Sequence, residues 1–351
     1  MLFFLIFIIA LCLYQCKFYR KGQWNDNYLR IEDTACIRGL FLLFVFGAHY
    51  LQYVKADGIL DQPYLLVNGF LGQGIVAMFL FYSGYGIYES IKNKGQAYIK
   101  NMPGRRIWPL LYHFWAAVLI YLAVGYLIGK NYSLSKTLLA FTGWTSVGNS
   151  NWYIFAVFWC YLFTWMAFGL LRREKQKGLW LVTLLTAGYI LIMARAKQGE
   201  GWWYNTVLVY PLGMWFSFYR REIERFLCPG MCSAFAGEKS RIAALAVTVL
   251  LRPFTYRQPV YILWSLLFAV TVLLLTMKVS VGNFYLNWLG RYTFEFYIMQ
   301  RLPMMVLKHF KLHREAPYLF GILSFTAALI LAAGFHQLLK YLDQKWMKIR
   351  I

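Results

Sequence analysis

The chain has 351 residues, of which 60% are hydrophobic, 20% aromatic and only 14% charged, with a formal net charge of +22. A soluble chain of this length needs two or more domains with polar surfaces, and soluble domains carry about 25% charged residues. Soluble, disordered and disulfide-stapled architectures are therefore excluded. The cation excess is not read as a nucleic-acid interface, and the remaining class is a polytopic membrane protein.

Eleven apolar runs follow in chain order: Leu2–Cys16, Cys36–Val54, Leu65–Ser90, Ile107–Ile128, Asn151–Leu171, Gly178–Ala194, Trp202–Phe218, Ile242–Leu251, Val260–Met277, Trp288–Leu307 and Tyr318–Leu339. The fold expected is all-α, with about ten core transmembrane helices and an N-terminal anchor. Residues 1–20 form the anchor and 30–345 the membrane domain. The first run differs from a signal peptide because its cations Lys17, Arg20 and Lys21 follow it. The run Ile242–Leu251 is too short to cross about 30 Å of hydrocarbon without flanking residues. Between the fourth and fifth runs, residues 129–150 include a short apolar stretch, Thr137–Thr142, suited to the membrane surface. Gly125 to Lys130 has the wrong spacing for a phosphate loop and reads as a helix end.

The loops separate by charge. One alternating set carries 24 Lys and Arg residues and the other 10. Cytoplasmic loops are enriched in cations, so the C-terminus is placed inside and the N-terminus outside. Two further cations, Arg38 and Arg301, fall within apolar runs, as does Glu295. Charges inside a membrane cost at least a few kcal/mol and are functional candidates by default.

Arg38 and His49 are 11 residues apart in one apolar run. At about 100° per residue they share a helical face, separated by about 16 Å along the axis. That face should line a cavity. The plainer reading is an Arg reaching the headgroups and a His satisfied by a carbonyl. Counted from the cytoplasmic ends, His49 and Arg301 lie at the same depth, roughly 20 Å. Glu295 is shallower, near Arg38, where the two can pair. His113, His336, His309 and His313 lie toward segment ends and read as structural. Cys228 and Cys232 flank Pro229-Gly230 with no His or further Cys nearby, so neither a metal site nor a disulfide is expected. Trp152, Trp202 and Trp203 suit either an interfacial belt or stacking on sugar rings.

Five stretches in order carry a resemblance. They are Arg38-Gly39 with His49; Phe79, Phe81, Ser83, Gly84 and Tyr85; Arg105-Arg106-Ile107-Trp108-Pro109; Asn151-Trp152-Tyr153; and Leu289-Gly290 through Pro303. Together they resemble the acyltransferase-three family of integral-membrane O-acyltransferases over about 36–339. The chain departs from the family pattern at Pro103, where a further Arg is common, and at Gln300, where His is common. The resemblance implies an enzyme that takes an acyl group, acetyl by expectation, from cytoplasmic acyl-CoA. It implies an extracytoplasmic glycan or lipid-linked saccharide as acceptor, and a bacterial cell membrane as the setting.

On this resemblance the anionic CoA is expected to meet Arg38, Lys100, Arg105 and Arg106, with Ser83 beside it. Positive-inside topology alone also accounts for the basic loop. His49 is the expected general base toward the acceptor hydroxyl, with Arg301 stabilising the oxyanion and Gln300 beside it. Ser83 reads more simply as close packing with Gly84. No metal or nucleic acid is implied; the partners are acyl-CoA, the acceptor and membrane lipid. Two other functions use the same cavity or none: a transporter or flippase of a lipid-linked saccharide, and a non-catalytic envelope scaffold. An enzyme needs His49, whereas a transporter does not.

Overall fold

The computed structural model describes residues 1–20, 22–172, 174–227 and 234–349. Its helices are α1 (Leu2–Leu13), α2 (Ile31–Tyr50), α3 (Gln62–Leu71), α4 (Gly74–Met102), α5 (Trp108–Leu127), α6 (Leu134–Phe141), α7 (Trp152–Leu170), α8 (Lys175–Ala196), α9 (Val209–Phe218), α10 (Arg220–Leu227), α11 (Ala234–Leu251), α12 (Gln258–Thr276), α13 (Phe284–Arg291), α14 (Thr293–Met299), α15 (Arg301–His309), α16 (Leu312–Glu315) and α17 (Pro317–Ile349). The architecture is thus nearly all-α, as expected. Lys21, Cys228, Cys232 and the turn at Pro229-Gly230 lie outside the described residues.

Five described stretches are long and apolar enough to cross a membrane: Gly74–Leu127, Trp152–Leu170, Lys175–Ala196, Gln258–Thr276 and Pro317–Trp346. The first is a pair of helices, with a left-handed Gly95 (φ 56°) interrupting α4 and a single π-turn, Pro103–Ile107, leading into α5. The basic stretch 91–106 is therefore largely helical rather than an open loop. The apolar run beginning at Leu65 is also divided, because Gly72 takes φ 45° and ends α3 before α4 begins. Only glycine adopts such backbone without strain. The short run Ile242–Leu251 is extended by its flanks into the 18-residue α11.

The N-terminal run is shorter than expected. Helix α1 has 12 residues, a rise of about 18 Å. Tyr14 is extended and Gln15 has φ 60°, which turns the chain into a strand. Strand β1 (Cys16–Phe18) pairs antiparallel with β2 (Val279–Val281), Lys17 opposite Ser280. This ribbon was not foreseen. Phe4 of α1 packs against Phe46 and Tyr64 at 6.1 and 5.8 Å.

Two helix crossings position the interior. Where α2 meets α13, a Cβ on Gly39 would collide with the Leu286 carbonyl, and one on Gly290 with the Ala35 carbonyl. Where α4 meets α9, Gly84 stands against the Tyr210 carbonyl and Gly213 against the Phe81 carbonyl. Each crossing is reciprocal, so both backbones approach to contact. Small residues permit this approach in membranes, where packing and backbone contacts replace the hydrophobic drive. The Ser83-Gly84 packing expected from sequence is therefore present.

Adding one methyl at Gly290 has no space to enter. Gly290→Ala is expected to cost about 1–3 kcal/mol, as overpacking does, lowering the thermal midpoint in detergent. Gly334→Ala on α17, with nothing within 4 Å, should be neutral or stabilising by up to about 1 kcal/mol. Equal midpoints for the two variants would contradict the crossing.

Candidate active site

Helix α2 presents Arg38 and His49 to two different cavities. The His49 cavity has a volume of about 760 Å³ and is lined by Gln52, Gln73, Asn149, Ser150, Tyr297 and Arg301, among others. The Arg38 cavity has a volume of about 620 Å³ and is lined by Ser83, Arg106, Tyr161, Arg291, Glu295 and Tyr297, among others. The shared helical face expected from the spacing is real, and it runs past both cavities in turn.

A break in the helix places Arg301. Pro303 has no N–H for the Met299 carbonyl, and its ring crowds that carbonyl. The helical hydrogen-bond ladder is consequently interrupted between α14 and α15 at Gln300, which itself keeps helical dihedrals (φ −60°, ψ −26°). Side chains take up the carbonyls near the break. Tyr121 Oη donates to Ile298 O at 2.8 Å and Gln300 Nε2 to Tyr297 O at 3.2 Å. Arg301 and Gln300 are both electrostatic neighbours of His49. His49 Nδ1, Gln300 Oε1 and Arg301 Nε are buried without a hydrogen-bond partner. The predicted convergence of His49 and Arg301 is thus seen in the geometry.

The outer wall of the His49 cavity is built by the segment between α6 and α7. Asn149 Oδ1 accepts from Val147 N at 3.1 Å, and Asn151 Nδ2 donates to Gly143 O at 2.6 Å. Helix α6 is capped by Ser133 and exposes Leu134 and Leu138. Opposite stands Lys197, between the faces of Trp144 and Trp203 at 4.2 and 4.4 Å. Glu200 accepts from Trp203 Nε1 at 2.8 Å. Trp152, Trp202 and Trp203, singled out by sequence, all line this cavity.

The Arg38 cavity differs in chemistry. Tyr82, Tyr153 and Tyr161 surround Arg38, and its Nε is buried without a partner. Ser83 Oγ lies 3.1 Å from Tyr161 Oη. Among the described residues neither Arg38, Arg106 nor Arg301 stands in an ion pair with a carboxylate. The expected pairing of Arg38 with Glu295 is absent. Glu295 instead binds His336 Nδ1 at 2.8 Å, because α17 packs against α14 and delivers that imidazole. His336 and likewise His113, 2.9 Å from Asp343, keep their structural reading. Glu89 is also paired locally, with Lys92 at 2.6 Å. Lys100, Arg105 and Arg106 are all exposed, but of the three only Arg106 contributes to the lining of the cavity.

Several lining residues were missed by sequence reasoning. Arg291, within the run Trp288–Leu307, was given no role. Tyr297 lay within the quoted segment Leu289–Pro303, yet no role was attached to it. Tyr82 and Tyr161 carried no signal beyond aromatic composition. No cluster of metal-ligating side chains occurs among the described residues.

The apolar spans are those of a helical membrane protein, and its interior holds two polar-lined cavities. A family model described as an acyltransferase domain matches residues 33–336. The chain belongs to the acyltransferase-three family, and hence to the membrane acyltransferases. Comparison with curated proteins and with solved structures returned no match.

The break at Gln300 rests partly on Tyr121. Tyr121→Phe leaves the Ile298 carbonyl without its donor, a loss of about 1–3 kcal/mol. It should lower the thermal midpoint while leaving helix content by circular dichroism unchanged. An unaltered midpoint would show that the break is held by Pro303 alone.

Proposed function

We propose that this chain is a membrane O-acyltransferase. Acyl-CoA, acetyl-CoA in the first instance, binds in the Arg38 cavity. The acceptor is a hydroxyl of an extracytoplasmic glycan or lipid-linked saccharide in the His49 cavity. The observation that carries this reading is the opposed pair of cavities: one edged by unpaired arginines, the other ending at His49 and Arg301. We further propose about ten core membrane helices with the N-terminal anchor, the N-terminus outside and the C-terminus cytoplasmic in a bacterial cell membrane. The 24 to 10 division of loop cations supports that orientation.

The chemistry follows from the groups present. CoA is polyanionic, so Arg38 and Arg106 meet its phosphates with charge-assisted bonds. Arg291 adds positive potential at the same cavity. The amide- and tryptophan-lined cavity suits a carbohydrate, which offers hydroxyls to amides and apolar ring faces to indoles. His49 takes the hydroxyl proton as the acceptor oxygen bonds to the thioester carbonyl carbon. Arg301 and the Gln300 amide stabilise the negative charge that develops on the carbonyl oxygen. The C–S bond then breaks, the thiolate of CoA leaves and is protonated, and the ester remains on the acceptor. Ser83, bonded to Tyr161, positions the donor side and is not needed as a nucleophile.

Donor binding is tested by calorimetry or by ligand-induced thermal shift with CoA. Arg38→Ala and Arg106→Ala should each weaken CoA roughly 10- to 150-fold, the equivalent of about 1.5–3 kcal/mol for a charged hydrogen bond. Arg105→Ala and Lys100→Ala, whose side chains leave the cavity, should change it less than threefold, in keeping with exposed charges worth about 0–1 kcal/mol. Unchanged affinity in both cavity variants would remove the donor site.

The chemical step is tested by acyl transfer in reconstituted membranes. His49→Gln keeps a polar side chain but takes up no proton at neutral pH. It should retain folding and CoA binding while transfer falls about 10²–10⁴-fold. Arg301→Lys should lose less than Arg301→Ala. A stable His49→Gln protein that transfers at the normal rate would overturn the mechanism and favour transport.

A further inference from the structure

The two cavities meet at a single side chain. Of the residues lining the His49 cavity and those lining the Arg38 cavity, Tyr297 alone belongs to both. The residue is 2% exposed. Its ring centroid lies 6.4 Å from that of His49 and 5.2 Å from that of Tyr153. His49 lines one cavity and Tyr153 the other, and the Tyr297 ring is in contact distance of both. Neighbouring positions obey the same division. Trp152 faces the His49 cavity and Tyr153 the Arg38 cavity, while Val76 and Phe79 on α4 divide in the same way.

We propose that Tyr297 is the partition between the donor and acceptor cavities and a positioning residue for acyl transfer. It confines the meeting of thioester and nucleophile to the edge of its own ring. This rests on the acyltransferase reading for its consequence, though not for its geometry. A thioester presented to an open, polar cavity meets water as readily as a sugar hydroxyl. Water attack would convert acyl-CoA and water into free acid and CoA thiol, with one water proton passing to His49 and on to the leaving thiolate. A ring that closes the passage except along its edge lets the acceptor's ordered hydroxyl in and keeps bulk water off the carbonyl. The same ring limits the room for the acyl chain, so removing it should widen the range of donors.

Two readouts separate the partition from the chemistry. The first is accessibility. Ser83→Cys places a thiol in the Arg38 cavity, and a membrane-impermeant maleimide is confined to the side bearing residues 129–150. Peptide mass spectrometry reads the label at position 83. With Tyr297 present the thiol should stay unlabelled; with Tyr297→Ala it should be labelled at least tenfold faster. Tyr297→Phe keeps the ring and should stay unlabelled, which sets the ring apart from its hydroxyl. Tyr297→Leu, less severe for packing, should fall between Phe and Ala, and the thermal midpoint of each variant is recorded.

The second readout is acceptor-free hydrolysis of acetyl-CoA, with butyryl-CoA as a longer donor. Tyr297→Ala should raise hydrolysis at least tenfold and raise the butyryl-to-acetyl ratio in transfer. Equal labelling at position 83 with Tyr297, Tyr297→Leu and Tyr297→Ala overturns the partition, whatever the chemistry. Labelling that opens as expected in a protein inert toward every acyl-CoA upholds the partition and counts instead against the acyltransferase reading. Opened labelling with active transfer but unchanged hydrolysis and donor range overturns the positioning role.

Discussion

Backbone contact between helices at two glycine crossings is the constraint on which the interior depends. Gly39 and Gly290 bring α2 onto α13, and Gly84 and Gly213 bring α4 onto α9. Within each crossing the chemically interesting side chain is the immediate neighbour of the glycine: Arg38 beside Gly39, Ser83 beside Gly84, Arg291 beside Gly290. In a helix the next residue points about 100° away. A glycine driven into its neighbour therefore turns the adjacent side chain out of the contact and into the space alongside. The rigid crossings thus set the walls and the orientation of the Arg38 cavity at once. A membrane helix pair has little hydrophobic gain from association, so this close approach, rather than bulky packing, holds the cations in place.

The second organising feature is a deliberate loss of helix. A continuous helix from Trp288 to Leu307 would keep every backbone group satisfied, as lipid demands. Pro303 forbids it, and the resulting turn at Gln300 sits inside protein, where Tyr121 and Gln300 itself supply donors. Tyr297, Gln300 and Arg301 are spaced i, i+3 and i+4 on a chain that keeps helical dihedrals at Gln300, so they share one helical face, and Tyr297 and Arg301 line the His49 cavity.

Much of this was legible in the sequence, and the failures have physical causes. The membrane class followed from the scarcity of charge. The face shared by Arg38 and His49 followed from helical period alone, and the depth match of His49 and Arg301 from rise per residue. Reading the apolar runs as unbroken helices failed at Gly72 and Gln300, since apolar composition does not report where a chain turns within the interior. Glu295 was assigned to Arg38 by depth, but depth does not fix the direction around an axis, and α17 brings His336 to the carboxylate instead. Lys100 and Arg105 were grouped with Arg106 because they are neighbours in sequence. Of the three only Arg106 lines the cavity. Tyr297 carries no charge, so a search for intramembrane charges passes over it.

The contrast between the cavities gives the arrangement a direction. The Arg38 side gathers guanidinium groups among tyrosines. The His49 side gathers amides and indoles, with Lys197 held between Trp144 and Trp203. The Trp203 indole is itself bonded to Glu200, which offsets part of the local positive charge. Arg301 lines this cavity together with His49. Two linings of different chemistry therefore meet at one aromatic ring, that of Tyr297.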